Sequence, residues 1–147
     1  MEKPIVIEES AGIFLYNTKT KLFLLMKRKD TNIWEGLKGH IDGRENHQET
    51  IKREALEEAG IKKILIGKKL GIVEFKLEKE NIIKMRRIYY YFAKTSQIDV
   101  ILSDEHSDYK WLTYETILEM LPFQATKEIF TKTKEEIISK QRNSPYD

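Results

Sequence analysis

A capped helical segment set between two pairs of strand-like runs constrains this chain more than any other feature. Residues 46–59 read as a helix: Asn46 is a strong N-cap, Glu49 stands three positions on as in a capping box, and Gly60 supplies a C-terminal stop. Ile51, Ala55, Leu56 and Ala59 make its apolar side. Before it, residues 4–16 and 22–28 are rich in Ile, Val, Phe, Leu and Tyr, with turn composition at 17–21, which predicts a β-hairpin. After it, residues 64–78 and 82–94 read as a second pair of long strands around a turn at 78–81, apolar enough for a sheet with both faces covered. A further helical region begins near Thr113 and Pro122 breaks it; a longer amphipathic helix follows, carrying Ile129, Phe130, Ile137 and Ile138. The tail 143–147 is expected to fray. Strands, a helix, strands and terminal helices predict an α/β (α+β) architecture, a mixed sheet sandwiched between helices, in one domain over residues 1–147.

Bulk properties confine any electrostatic function to a local site. The 26 basic and 24 acidic residues give a net charge of +2, too balanced for wholesale binding of nucleic acid or membrane. The absence of cysteine excludes disulfides, thiolate metal sites and a cysteine nucleophile, and fits an intracellular protein. His40, His47 and His106 are not at zinc-ligand spacing. The charged start, with only a short apolar run, predicts neither a signal peptide nor a membrane span. The expectation is a soluble cytoplasmic protein, monomeric or homodimeric, with no membrane partner.

The predicted helix carries Glu54, Glu57 and Glu58 within little more than one turn, on a side opposed to the Ile51/Ala55 seam. Like charges at this spacing destabilise a helix by a few tenths of a kcal/mol per pair, roughly. A solvated face paired with Lys52 or Lys62 is one account. The other is a divalent cation site, because hard oxygen ligands suit Mg²⁺ bound together with substrate phosphates.

The flanking residues decide between them. Gly39, Glu45, Arg53, Glu54, Ala55, Glu57, Glu58, Gly60 and Ile61 fall at a spacing similar to the whole box of the Nudix family, G-x5-E-x7-R-E-U-x-E-E-x-G-U with U aliphatic. All seven fixed letters match. From average composition that coincidence has odds on the order of 10⁻⁸, or about two decades more given local Glu enrichment, which decides against the solvated face. Residue chemistry agrees. Glu45 precedes the helix and Arg53 lies within it, so a bidentate pair would pin loop to helix. Gly39 permits close backbone approach to a phosphate, and Gly60 ends the helix.

The resemblance implies hydrolysis of a nucleoside diphosphate linked to another group, with Mg²⁺ or Mn²⁺ held by Glu54, Glu57 and Glu58, and Glu54 preferred as general base. A second likeness narrows the class. Lys38-Gly-His-Ile-Asp42 and Leu102-Ser-Asp-Glu-His-Ser-Asp-Tyr-Lys-Trp-Leu112 resemble segments of the asymmetric diadenosine tetraphosphate hydrolases within that family. Carried over, Glu105 becomes a further carboxylate facing the metals, and Lys38, His40 and Arg86 become phosphate contacts. Tyr90, with Phe123 opposite, would stack on adenine, ordinary strand and core packing being the competing account of both. His106 reads as structural or exposed rather than catalytic. Lys84, Arg86 and Arg87 form a basic cluster of which alternating strand faces let only one side meet substrate. Two departures stand out: Leu37 replaces a proline before Lys38, and Gly43-Arg44 precedes Glu45 where the subfamily has Pro-Gly. The implied reaction is diadenosine tetraphosphate to ATP and AMP. Removal of pyrophosphate from an RNA 5′ end is the nearest enzymatic rival, and a nucleotide-binding module without turnover is the rival from another class.

Overall fold

The structure is a computed structural model that describes residues 2–142, with side chains through residue 138. The expected tail 143–147 lies outside the described residues. Seven strands form one mixed sheet: β1 (Ile5–Asn17), β2 (Phe23–Arg28), β3 (Trp34–Glu35), β4 (Leu37–His40), β5 (Leu65–Glu78), β6 (Ile83–Thr95) and β7 (His106–Leu112). The strand order is β3-β2-β1-β6-β5, with β4 against β1 and β7 against β2. Helix α1 (His47–Ala59) covers one face; α2 (Tyr114–Met120) and α3 (Gln124–Thr131) cover the other, followed by α4 (Thr133–Arg142).

Period-two alternation along β1 divides its side chains between two cores. Phe14 and Tyr16 join Phe23, Leu25, Ile88, Tyr90 and Phe92 under Ile117, Ile129 and Phe130, while Ala11, Ile13 and Leu15 join Leu24, Met26 and Leu37 under Ile51, Ala55 and Ala59. The expected hairpin is present: Asn17 Oδ1 accepts from the Lys19 and Thr20 amides at 2.9 and 3.2 Å, and Tyr16 faces Phe23. The strands then diverge, and β4 fills the gap from Ser10↔His40 to Ile13↔Leu37. The principal neighbour of β1 is β6, parallel from Ile5↔Ile83 to Asn17↔Thr95.

Three expectations need correction, and three strands come without one. The second strand pair is not covered on both faces, because β5 is the sheet edge and buries only Leu70 and Val73 along its length. Leu56 is 52% exposed, so it lies off the apolar side of α1, and Glu58 is turned inward in its place. The long terminal helix is interrupted at Lys132 into α3 and α4. There the Thr131 and Thr133 hydroxyls donate back to the Glu128 and Phe130 carbonyls at 2.5 and 2.7 Å, competing with the helical ladder. Strands β3, β4 and β7 carry no strand signal of their own, since two are very short and β7 is largely polar. The break before Pro122 stands as expected, with Leu121 extended at φ −64°, ψ 127°. Among the described residues no helix is long and apolar enough to cross a membrane.

Candidate active site

The caps that sequence reasoning placed on α1 form as written. Asn46 accepts from the Glu49 amide at 2.8 Å, Glu49 accepts from the Asn46 amide at 3.1 Å, and Gly60 closes the helix at φ 63°. With both ends fixed, the rotation of α1 about its axis is set by Ile51, Ala55 and Ala59 in the core. That rotation carries Glu54 against Gly39 of β4, turns Glu58 inward and leaves Glu57 near the surface.

Arg53 ties the loop to this helix. Its Nε and Nη2 donate to the two oxygens of Glu45 at 2.8 and 2.9 Å; Nη1 donates to Glu54 at 2.8 Å and Glu57 at 3.2 Å, and Nη2 also reaches the His40 carbonyl at 2.9 Å. Glu45 in turn accepts from the Asp42 amide at 2.9 Å and the Thr50 hydroxyl at 3.1 Å. The guanidinium, with the Asp42 amide and Thr50 hydroxyl, holds the Glu45 carboxyl down to about 2. Lysine cannot reproduce this planar fork. Arg53→Lys is therefore expected to lower the melting temperature and reduce kcat/KM by about tenfold or more through misplacement of Glu54; an unchanged kcat/KM would refute that role.

Gly39 has a purpose its sequence position did not disclose. A Cβ built there would stand 2.0 Å from Glu54 Cδ and 2.4 Å from its Cγ, so the missing side chain is the space in which Glu54 lies. Glu58 is 7% exposed, and burial, then the Glu54 charge and hydrogen bond, then Glu105 and Glu35, push its carboxyl up to about 9. Backbone bonds tie the Glu105 loop to two elements: the Ser103 amide donates to the Glu58 carbonyl of α1 at 3.2 Å, and the Lys29 amide, just past β2, donates to the Glu105 carbonyl at 3.0 Å. Four carboxylates from α1, the 103–105 loop and β3 thus converge in their electrostatics.

Sequence reasoning missed Glu35, which belongs to none of the motifs. Its carboxylate is largely buried beside Arg28, Lys38 and His106 at 3.5, 3.4 and 3.5 Å. Burial, the largest influence, pushes the Glu35 carboxyl up, but the contact with His106 and the Lys38 and Arg28 charges outweigh it and hold it below the usual carboxylate range. His106 is buried, a structural position rather than an exposed one.

Among the described residues no three acidic or histidine side chains are already drawn together at metal-ligating distance. The chemistry of the donors nonetheless fits a hard divalent cation, since Glu54, Glu58 and Glu105 are oxygen ligands whose mutual repulsion already raises Glu58.

The substrate candidates are more dispersed. Lys38 and Tyr90 share the sheet face of Gly12, whose Cβ would lie 2.9 Å from Lys38 Cβ and 3.1 Å from Tyr90 Cε1. His40 is exposed at the end of β4, and Arg86 pairs with Glu8 at 3.4 Å beside a 3.0 Å Lys84–Glu8 pair. Arg87 points to the opposite face with Glu74, as strand alternation requires. Tyr90 corrects the adenine-stacking expectation: it is 4% exposed, with its ring stacked on Phe14 at 5.0 Å and 8°, so its face is spent on the core. Phe123 is 46% exposed at the start of α3, edge-on to Phe75 at 5.3 Å.

The NUDIX domain model matches residues 7–133. A mouse (Mus musculus) protein named bis(5′-nucleosyl)-tetraphosphatase [asymmetrical] is 34% identical over 111 residues, covering 71% of this chain and 73% of its own. A rat (Rattus norvegicus) protein of the same name is 32% identical over 116 residues, covering 76% of each chain. Among solved structures, a MutT protein from Methanosarcina mazei Go1 is 29% identical with a TM-score of 0.68, covering 92% of this chain and 97% of that one. A Caenorhabditis elegans Ap4A hydrolase in a binary complex shares the fold at 23% identity and a TM-score of 0.71, covering 90% of this chain and 98% of that one.

Proposed function

We propose that this chain, which belongs to the Nudix hydrolase family, is a divalent-cation-dependent hydrolase of dinucleoside polyphosphates that cleaves diadenosine tetraphosphate to ATP and AMP. The observation that carries this reading is Glu54 and Glu58 on a helix whose loop is locked by Arg53, with the loop of Glu105 tied to the Glu58 carbonyl, beside the Lys38-Gly-His40 strand. The relatives named bis(5′-nucleosyl)-tetraphosphatase [asymmetrical] support the choice of substrate class.

Glu54, Glu57, Glu58 and Glu105 would hold Mg²⁺ or Mn²⁺. When bound, such a cation supplies charge neutralisation of the polyphosphate and a more acidic water. The remaining work falls to the protein. Lys38 and His40 meet the phosphates, Arg86 adds positive charge along the same sheet face, and Arg53 keeps Glu54 directed at the reacting water. Glu54 accepts the proton as water attacks phosphorus and a nucleotide phosphate leaves. Phe123, open and backed by Phe75, offers a stacking surface for a base, worth roughly 1–3 kcal/mol.

A panel of diadenosine polyphosphates, ADP-ribose, nucleoside triphosphates and triphosphorylated RNA, each with Mg²⁺ and ranked by kcat/KM, tests this. Diadenosine tetraphosphate is expected to lead, with ATP and AMP as products on chromatography. A preference for ADP-ribose or RNA, or two molecules of ADP as products, would overturn the assignment.

A further inference from the structure

Glu35 stands outside the box, yet it joins the box strand to the protein interior. Its two oxygens face different partners: Oε1 lies 3.5 Å from both Arg28 Nη1 and His106 Nε2, and Oε2 lies 3.4 Å from Lys38 Nζ. Of the first pair, Arg28 is the anchor, donating from Nη1, and His106 packs against the same oxygen. Arg28 is itself clamped by Asp30 through Nε and Nη2 at 2.9 and 3.0 Å, and the His106 ring is wholly buried, with neither nitrogen hydrogen-bonded among the described residues. Lys38 is different, a long, partly exposed side chain on β4. A free lysine there keeps its rotamer entropy, which a phosphate contact must overcome on binding.

We propose that Glu35 is a positioning residue: anchored by Arg28, its carboxylate preorganises Lys38 for the phosphate chain of the substrate. This rests on the reading of Lys38 as a phosphate contact. Because Arg28 already offsets the Glu35 charge, preorganisation outweighs repulsion between this carboxylate and the phosphates.

The test is a double-mutant cycle of Glu35→Gln and Lys38→Met, read twice: as KM and kcat for diadenosine tetraphosphate with Mg²⁺, and as the Kd of inorganic tripolyphosphate with Mg²⁺ by calorimetry. Glu35→Gln alone is expected to raise KM and Kd about tenfold, with kcat within about twofold, and to change neither once Lys38 is Met. Glu35→Asp, which keeps the charge but shortens its reach, is expected to give about a threefold rise; it serves if the Gln variant does not fold. Equal losses in both lysine backgrounds overturn the proposal, as does a fall in kcat at unchanged KM. Tighter tripolyphosphate binding by Glu35→Gln, the result of simple repulsion, also overturns it. If the wild-type enzyme does not cleave diadenosine tetraphosphate, the proposed function fails by itself, and the tripolyphosphate cycle still decides whether Glu35 acts through Lys38.

Discussion

Glu58→Gln is expected to abolish metal-dependent hydrolysis, with kcat falling by about 10³-fold or more, and at the same time to raise the melting temperature of the metal-free protein. The two effects have one cause. Glu58 is buried among Glu54, Glu105 and Glu35, so its ionised form is disfavoured unless a cation offsets it. Glutamine keeps the shape and removes the charge. The pH dependence has a definite sign: a carboxyl whose folded pKa is raised from 4.5 to about 9 takes up a proton on folding between those values. Stability of the metal-free protein should therefore fall as pH rises through that window. Glu45, depressed to about 2, works in the opposite direction, contributing stability above about pH 4.5 that is lost as pH falls toward 2. Melts in EDTA should accordingly show greater stability at pH 6 than at pH 8, with Mg²⁺ flattening that limb. Glu58→Gln should flatten it without metal, melting at least about 3 °C higher at pH 8. Retained activity, or an alkaline limb as steep as in the wild type, would contradict the role given to this side chain.

What was legible in the sequence was the part governed by short-range rules. The capping box at Asn46, the αL stop at Gly60 and the Arg53–Glu45 fork each need only a few residues at fixed spacing, and each forms as read. Long strands were equally visible, because apolar runs of that length have few alternatives. The errors came where tertiary context overrides local pattern. Helical periodicity put Leu56 on the apolar side, but α1 is rotated by the packing of Ile51, Ala55 and Ala59, which turns Glu58 inward instead. Tyr90 was singled out by its place in a motif, yet the parallel pairing of β6 with β1 sets it against Phe14. Glu35 gave no signal, since its partners Arg28 and His106 come from β2 and β7 and meet it only when the sheet assembles. Charge crowding pointed to the site; burial determined which carboxylates share it.

Gly39→Ala offers the sharpest separation between geometry and stability. Gly39 was expected to let a phosphate approach the backbone, but the nearest atoms to a new Cβ belong to Glu54, with Cδ at 2.0 Å and Cγ at 2.4 Å. Gly39 is not among the positive-φ residues, so alanine fits the backbone of β4 and, by restricting the unfolded chain, costs little or nothing in stability. What must move is the Glu54 side chain beyond Cβ, losing the 2.8 Å hydrogen bond from Arg53. Misplacement by about 1 Å is enough to cost roughly 10²-fold, so Gly39→Ala is expected to lower kcat by about that factor while melting within about 2 °C of the wild type. The decisive measurement is the same substitution in a Glu54→Gln background. If the glycine serves only to seat this carboxylate, it should cost almost nothing further there, because the group it displaces no longer carries charge or takes a proton. A full additional loss, appearing in KM rather than kcat, would return Gly39 to direct contact with the phosphates.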